Sequence, residues 1–126
     1  MFNWRRPADL GARDGRLSAC RRSPNCVSSQ ADPGDREHYI APLAFTGTIA
    51  ELRRAIESLP RVTVIREAPD YLYAEFRTPL LRYVDDVEFV KAGSVLHVRS
   101  ASRLGRRDFG VNRRRVEEIR RLLTKP

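Results

Sequence analysis

The chain has 126 residues, of which 41% are hydrophobic and 32% are charged, and its formal net charge at pH 7 is +8. A chain of this length corresponds to one domain. Its longest apolar runs are far shorter than the roughly 20 residues of a membrane-spanning helix. Length and composition exclude a two-domain chain, a transmembrane helix, a collagen and a disulfide-dense scaffold.

The first residues lead into polar sequence without the hydrophobic stretch of a secretory signal. We therefore expect a cytoplasmic protein. An exported or membrane-anchored form stays open, because an upstream segment could have been removed.

The positive charge is concentrated at the C-terminal end of the chain. Residues 103–126 carry nine basic and three acidic side chains, whereas residues 36–102 carry nine of each. A basic C-terminal helix is one candidate surface for binding a protein or a nucleic acid. The signal for nucleic acid is weak, because aromatic residues do not alternate with the cations as they do in single-strand binders.

The two cysteines, Cys20 and Cys26, lie close together in the chain, and the only histidines are His38 and His97. Their spacing matches no familiar zinc site, so we predict neither a metal nor a cofactor. The cysteines could form a small disulfide loop in an oxidising compartment or remain free thiols in the cytosol. If Cys26 is free, it could act as a nucleophile with His38 as its base.

Residues 1–38 show no sustained hydrophobic period and are rich in Arg, Asp, Gly, Pro and Ser. This composition predicts an irregular arm with turns at residues 23–25 and 32–34. We expect the arm to pack on a single α+β domain formed by residues 39–126.

Two amphipathic helices are predicted. Thr48 and Glu51 have the spacing of a capping box and precede an apolar stripe, which predicts a helix over residues 48–58. A second stripe predicts the final helix over residues 111–123. On its solvent face, Glu117 has the spacing to pair with Arg113 and Arg121.

Short β-branched and aromatic runs predict four strands, at residues 61–67, 71–78, 81–90 and 94–102. Residues 40–46 could add a short extended segment at an edge, because they contain a proline. Short turns between consecutive strands indicate an antiparallel arrangement. The predicted fold class is therefore α+β, with an antiparallel four-stranded sheet, two amphipathic helices on one face and a long N-terminal arm.

The last two strands are predicted to form a hairpin around a two-residue turn at Ala92 and Gly93. In this register Phe89 lies opposite Leu96, Glu88 opposite His97, and Asp85 opposite Ser100. Apolar residues then meet on one face and charge-complementary residues on the other.

Two places in the predicted fold look chemically unusual. Asp85 falls on the apolar face of its strand, so it is either satisfied by backbone amides or Ser100, or forms the polar floor of a pocket between sheet and helices. The second place is the loop from Arg99 to Gly110, where hydroxyls, arginines and a helix N-terminus could bind an anion. Most loops of this kind bind nothing.

Several motifs resemble the uncharacterised family known as domain of unknown function fourteen-ninety-nine. They are SPNCVSSQ at residues 23–30, YVDDVEF at 83–89, VRSASRLG at 98–105 and DFGVNR at 108–113. The resemblance implies no established reaction, ligand or partner. Members of such families are often exported or membrane-anchored.

The preferred hypothesis is a non-enzymatic binding or accessory module for a polar or anionic ligand or a partner. In it, the arm around Cys26 folds against the sheet. The alternatives are a cysteine-dependent enzyme that uses Cys26 and His38, and an interaction surface on the basic C-terminal helix. The candidate ligand-binding residues are Ser23, Asn25, Cys26, Ser28, Asp85, Asp86, Arg99, Ser100, Ser102, Arg103, Asp108, Asn112 and Arg113.

Overall fold

The computed structural model describes residues 5–105 and 107–125. Residues 1–4 of the predicted arm lie outside this range. Two helices are present, α1 (Ile49–Glu57) and α2 (Val111–Thr124). The strands are β1 (Cys26–Ser28), β2 (Leu43–Ala44), β3 (Val62–Ala68), β4 (Tyr71–Arg77), β5 (Val84–Ala92) and β6 (Val95–Ser102).

The strands form one antiparallel sheet in the order β1-β6-β5-β4-β3, and β2 pairs with β6 beside β1. The predicted α+β class and the antiparallel sheet are confirmed. The predicted number of four strands is wrong, because the described part of the chain contains six. One additional strand, β2, lies within the predicted edge segment of residues 40–46. The other, β1, is only three residues long, too short to show an alternating pattern in the sequence.

The ends of α1 follow from its sequence. The Thr48 hydroxyl accepts a hydrogen bond from the Glu51 amide at 3.1 Å, and the Glu51 carboxylate accepts one from the Thr48 amide at 3.0 Å. This reciprocal pair is the predicted capping box. Helix α2 begins at Val111 as predicted and runs one residue further than expected.

The predicted register of the β5–β6 hairpin is wrong by two residues. Its turn is formed by Gly93 and Ser94, so Phe89 lies opposite Val98, Glu88 opposite Arg99 and Asp85 opposite Ser102. Gly93 has φ +61°, and tight hairpin turns favour a residue with positive φ at the first turn position. A shift of two residues leaves each side chain on its predicted face, since side chains alternate with a period of two.

The two faces of the sheet are covered by different parts of the chain. The helices pack on the face that carries Leu72, Val87 and Phe89, which forms the main hydrophobic core. The opposite face carries Tyr71 and Tyr73, and a smaller cluster there includes Leu10 and Leu17 of the arm. We call these the helix face and the arm face. No helix in the described part of the chain has the length and apolarity needed to cross a membrane.

Candidate functional site

A cavity of about 440 Å³ lies on the arm face, where the arm crosses strands β1, β6 and β5. Its ionisable lining is dominated by cations: five arginines and two aspartates contribute to the wall. These residues are Arg5, Arg6, Arg21, Arg99, Arg103, Asp9 and Asp86. The formal charge of the lining is therefore positive.

Arg103 is anchored to the floor of this cavity by buried carboxylates. Its Nε lies 2.9 Å from Asp86 Oδ2, and its Nη2 lies 2.5 Å from Glu75 Oε2. The Tyr73 hydroxyl donates a further hydrogen bond to Asp86. Burial alone would raise the pKa of Glu75, but hydrogen bonds from Arg103 and Arg6 outweigh it and lower that pKa below its ordinary value. The charge of Arg103 is thus compensated by the protein.

The guanidinium of Arg99 has fewer and longer polar contacts than that of Arg103. Its side chain is 5% exposed, and its Nη1 and Nη2 lie 3.8 Å from Glu88 and from Asp9 respectively. Its Nη2 also donates a long hydrogen bond of 3.4 Å to the Ala19 carbonyl. The buried Nε has no hydrogen-bond acceptor among residues 5–105 and 107–125. A buried donor without an acceptor is costly, so this group is suited to an acceptor from a ligand or water.

Glu88 supports Arg99 from within the sheet. Its Oε2 accepts hydrogen bonds from the Tyr71 hydroxyl at 2.5 Å and from the Gly11 amide at 2.7 Å. Burial raises the pKa of Glu88, and burial together with the Glu88 acceptor raises the pKa of the Tyr71 phenol. The Gly11 amide attaches the arm to the sheet at this point.

Cys20 and Cys26 form a disulfide bond. Of the two redox states that the sequence leaves open, this is the one in the structure. The short loop that it closes places Arg21, Ser23 and Asn25 on the cavity wall. The disulfide therefore ties this part of the cavity wall to strand β1.

The same bond bears on the hypothesis of a Cys26 nucleophile. A disulfide sulfur provides no thiolate, and attack requires one. The proposed base is also engaged, because His38 Nδ1 lies 2.7 Å from Asp35 Oδ2 and its Nε2 lies 3.0 Å from the Ser23 carbonyl. In this state neither group is arranged for nucleophilic catalysis.

A second polar cluster lies on the helix face, at the start of α2. Buried Asn112 accepts from the Ser100 hydroxyl at 2.6 Å and donates to Ser102 and Asp108. The Asp108 carboxylate accepts hydrogen bonds from the Gly110 and Asn112 amides. The chain's own carboxylate therefore occupies the helix N-terminus, the place where the sequence left room for an external anion.

Asp85 belongs to this second cluster and not to the cavity. Its carboxylate lies 2.7 Å from Arg115 Nη1 of α2, and Ser102 also hydrogen-bonds to it. Burial raises the pKa of Asp85, although the Arg115 charge acts in the opposite direction. The predicted partner Ser100 bonds to Asn112 instead, because the true register places Ser102 opposite Asp85.

The structure thus divides the predicted site residues between the two faces. Those that line the cavity are Ser23, Asn25, Cys26, Asp86, Arg99, Ser102 and Arg103. Those in the helix-face cluster are Asp85, Ser100, Asp108 and Asn112. Ser28 is buried in β1, and Arg113 donates to the carbonyls of Arg36 and Glu37.

Sequence reasoning missed two groups at the candidate site: the arginines Arg5, Arg6 and Arg21 of the cavity wall, and the buried glutamates Glu75 and Glu88 beneath it. In β4 two tyrosines and Glu75 lie two residues apart, as do Asp86 and Glu88 in β5, so each set shares one side of the sheet. This spacing could have revealed that the second face of the sheet is polar. Within the described residues, no group of three or more His, Cys, Asp or Glu side chains is arranged to hold a metal ion.

The family model described as "Protein of unknown function (DUF1499)" matches residues 16–123. The chain belongs to this family. The predicted resemblance is thereby confirmed. The DUF1499 match spans the cavity residues from Arg21 to Gly105 and leaves out Arg5 to Asp9. Searches of curated proteins and of solved structures found no match.

Proposed function

We propose that this domain is a non-enzymatic binding module whose arm-face cavity takes a small anion with a carboxylate or phosphate group. The observation that carries the proposal is Arg99, a residue that lines the cavity and whose buried Nε has no acceptor among the described residues. An anionic oxygen would satisfy it with a charge-assisted hydrogen bond.

The rest of the lining supports the same ligand chemistry. Arg21 lies at the exposed rim of the cavity and has no hydrogen-bond or ion-pair partner in residues 5–105 and 107–125. The guanidinium groups also outnumber the carboxylates that line the wall, which favours an anionic ligand. Planar guanidinium groups suit the paired oxygens of carboxylates and phosphates.

Isothermal titration calorimetry with inorganic phosphate and with citrate tests the proposal. We expect the wild-type protein to bind at least one of them. Arg99→Gln and Arg21→Gln should each weaken that binding about 10-fold or more, since a hydrogen bond to a charged group contributes about 1.5–3 kcal/mol. Arg22→Gln is the matched control, because Arg22 neighbours Arg21 in the same disulfide loop but does not line the cavity.

Wild-type protein that binds neither anion, or an Arg21→Gln variant that binds as well as wild type, would contradict the proposal. Arg99 also approaches Glu88, so thermal unfolding of Arg99→Gln must be measured first. Arg21 is exposed, and its replacement keeps the test valid if Arg99→Gln does not fold.

We further infer that the protein works in an oxidising compartment, in place of the cytoplasmic expectation, because disulfides persist there and are rare in the cytosol. Alkylation of rapidly acid-quenched protein from its own host tests this inference. We expect Cys20 and Cys26 to be alkylated only after reduction. Alkylation without reductant would contradict it.

A further inference from the structure

A groove of about 730 Å³ lies on the helix face, between the end of α1, the end of β4 and helix α2. Its floor includes Phe76, which is 6% exposed, and its walls include Leu59, Pro79 and Val111. The guanidinium of Arg115 stacks 5.1 Å from the centroid of the Phe76 ring. The groove shares no lining residue with the arm-face cavity.

The groove is strongly basic. Six arginines and two glutamates line it: Arg61, Arg77, Arg113, Arg114, Arg115, Arg121, Glu117 and Glu118. The predicted pairing of Glu117 with Arg113 and Arg121 is wrong, because Glu117 pairs with Arg120, which also hydrogen-bonds to two backbone carbonyls.

Four of these arginines have no carboxylate partner within the described part of the chain: Arg61, Arg113, Arg114 and Arg121. The first three donate to backbone carbonyls, which orients the guanidinium groups without neutralising them. Their positive charge is available to a partner.

Large apolar side chains lie close in the sequence to residues that line the groove. Leu80 and Leu81 follow Pro79 and are 97% and 66% exposed, and Phe109, two residues before Val111, is 82% exposed. Leu80 and Phe109 have φ of +64° and +52°. Left-handed backbone at such residues costs about 1–2 kcal/mol each. Backbone strain clusters at functional sites, and exposed apolar side chains next to a groove favour a contact surface there.

We propose that this groove binds an acidic amphipathic segment of a partner protein. Carboxylates of the segment pair with Arg61, Arg114 and Arg121, and its apolar side chains cover Phe76 and the exposed leucines. The concave shape favours a segment over a lipid surface, because a flat bilayer would not reach the recessed Phe76 ring. Charge complementarity of this kind steers association and selects the partner.

Amide chemical-shift mapping with a synthetic helical peptide tests the proposal. The probe carries Glu on one face and Leu on the other, and the matched control peptide carries Lys in place of Glu. We expect the acidic peptide to shift the resonances of Phe76, Val111 and Arg114, and the lysine peptide to shift none of them. Binding should weaken several-fold when salt rises from about 50 to about 300 mM, because salt screens exposed charges.

Charge reversal locates the contact. Arg61→Glu combined with Arg121→Glu should weaken binding of the acidic peptide about 10-fold or more, since like charges then face each other. Arg22→Glu, a reversal on an exposed residue outside the groove, should leave it unchanged.

Three results would overturn the proposal. They are an acidic peptide that shifts no groove resonance, equal binding of the lysine peptide, and full binding by the charge-reversed protein. Sedimentation with phosphatidylglycerol vesicles provides the competing measurement. The surface would be assigned to a bilayer instead if the protein bound vesicles, if Leu80→Ser combined with Leu81→Ser abolished that binding, and if no peptide bound in the groove.

Discussion

The helix face and the arm face of the sheet are built on different principles. On the helix face, apolar stripes of α1 and α2 meet apolar strand residues, and Asp85 is the buried carboxylate there, paired with Arg115. On the arm face, three buried carboxylates, Glu75, Asp86 and Glu88, accept hydrogen bonds from tyrosines, from arginines and, at Glu88, from the Gly11 amide.

The difference follows from what covers each face. A helix satisfies its own backbone groups and presents a continuous apolar stripe, so the strands beneath it can be apolar. An irregular arm leaves amides such as that of Gly11 in need of acceptors, and the sheet supplies carboxylates to meet them. The helix face therefore provides most of the hydrophobic stabilisation, and the arm face holds the chemistry of the candidate site.

Removal of a cation from the arm-face network should have the largest effect. Arg103→Met leaves Glu75 and Asp86 buried without their main partner, and loss of one member of a buried pair costs about 3–5 kcal/mol. Urea unfolding at pH 7 measures it. Arg107→Met, on an exposed residue, is the control and should change the free energy of unfolding by less than about 0.5 kcal/mol. A loss under about 1 kcal/mol for Arg103→Met would show that this network is not coupled to folding.

Truncation of one leucine on each face compares the two apolar clusters directly. Leu72→Ala on the helix face should lower the free energy of unfolding by about 3 kcal/mol, because Leu72 is fully buried in the main core. Leu17→Ala on the arm face should cost less, about 1–2 kcal/mol, since the smaller cluster is covered by the irregular arm, which can relax into the space that the side chain leaves. Equal losses in the same urea unfolding experiment would remove the energetic distinction between the faces.

The Cys20–Cys26 disulfide links stability to the candidate site. Replacement of both cysteines by serine should lower the free energy of unfolding by about 2 kcal/mol, the value expected for a loop this short. It should also weaken phosphate or citrate binding, because Arg21 and Ser23 lie within the loop. Differential scanning calorimetry of the double variant and of reduced wild-type protein measures the stability, and isothermal titration calorimetry of the same samples measures the anion affinity. Anion affinity equal to that of the oxidised protein would show that the loop does not position the site.

Local patterns in the sequence were sufficient for the helices and for the faces that the residues of the β5–β6 hairpin occupy. The spacing of Thr48 and Glu51 is enough to predict a helix cap, and the alternation of apolar and polar residues along a strand is enough to predict which side of the sheet each residue faces. The cap and the faces of the hairpin are confirmed. The hairpin register was wrong because it depended on the choice of turn residues, and the φ of Gly93 decides that choice. Strand β1 was missed because it forms through pairing with distant β6, which its own three residues do not encode.

The candidate site was predictable only in part for the same reason. Cys26, Arg99 and Arg103 were chosen from motifs and do line one cavity. Asp85 was grouped with them, although alternation requires neighbours Asp85 and Asp86 to point to opposite faces. Arg5 and Arg6 belong to a segment without periodicity, and only the path of the folded arm brings them to the sheet.

The two buried glutamates of the arm face should respond to pH in opposite directions. Burial raises the pKa of Glu88 above its ordinary value of 4.5, so its contribution to stability is present below that value and is lost as pH rises through the folded pKa. Burial also acts on Glu75, but Arg103 and Arg6 outweigh it and lower its pKa. Its contribution is present above pH 4.5 and is lost as pH falls through the folded pKa.

Urea unfolding of wild type, Glu88→Gln and Glu75→Gln from about pH 3 to about pH 8 tests this smallest of the expected effects. The stability of wild type relative to Glu88→Gln should fall as pH rises, because the ionised Glu88 carboxylate is held in a desolvated place. The stability of wild type relative to Glu75→Gln should rise over the same range, because the ionised Glu75 carboxylate gains its arginine partners. Difference curves with the same slope would mean that folding shifts the pKa values of Glu75 and Glu88 in the same direction, and that pairing with Arg103 does not lower the pKa of Glu75.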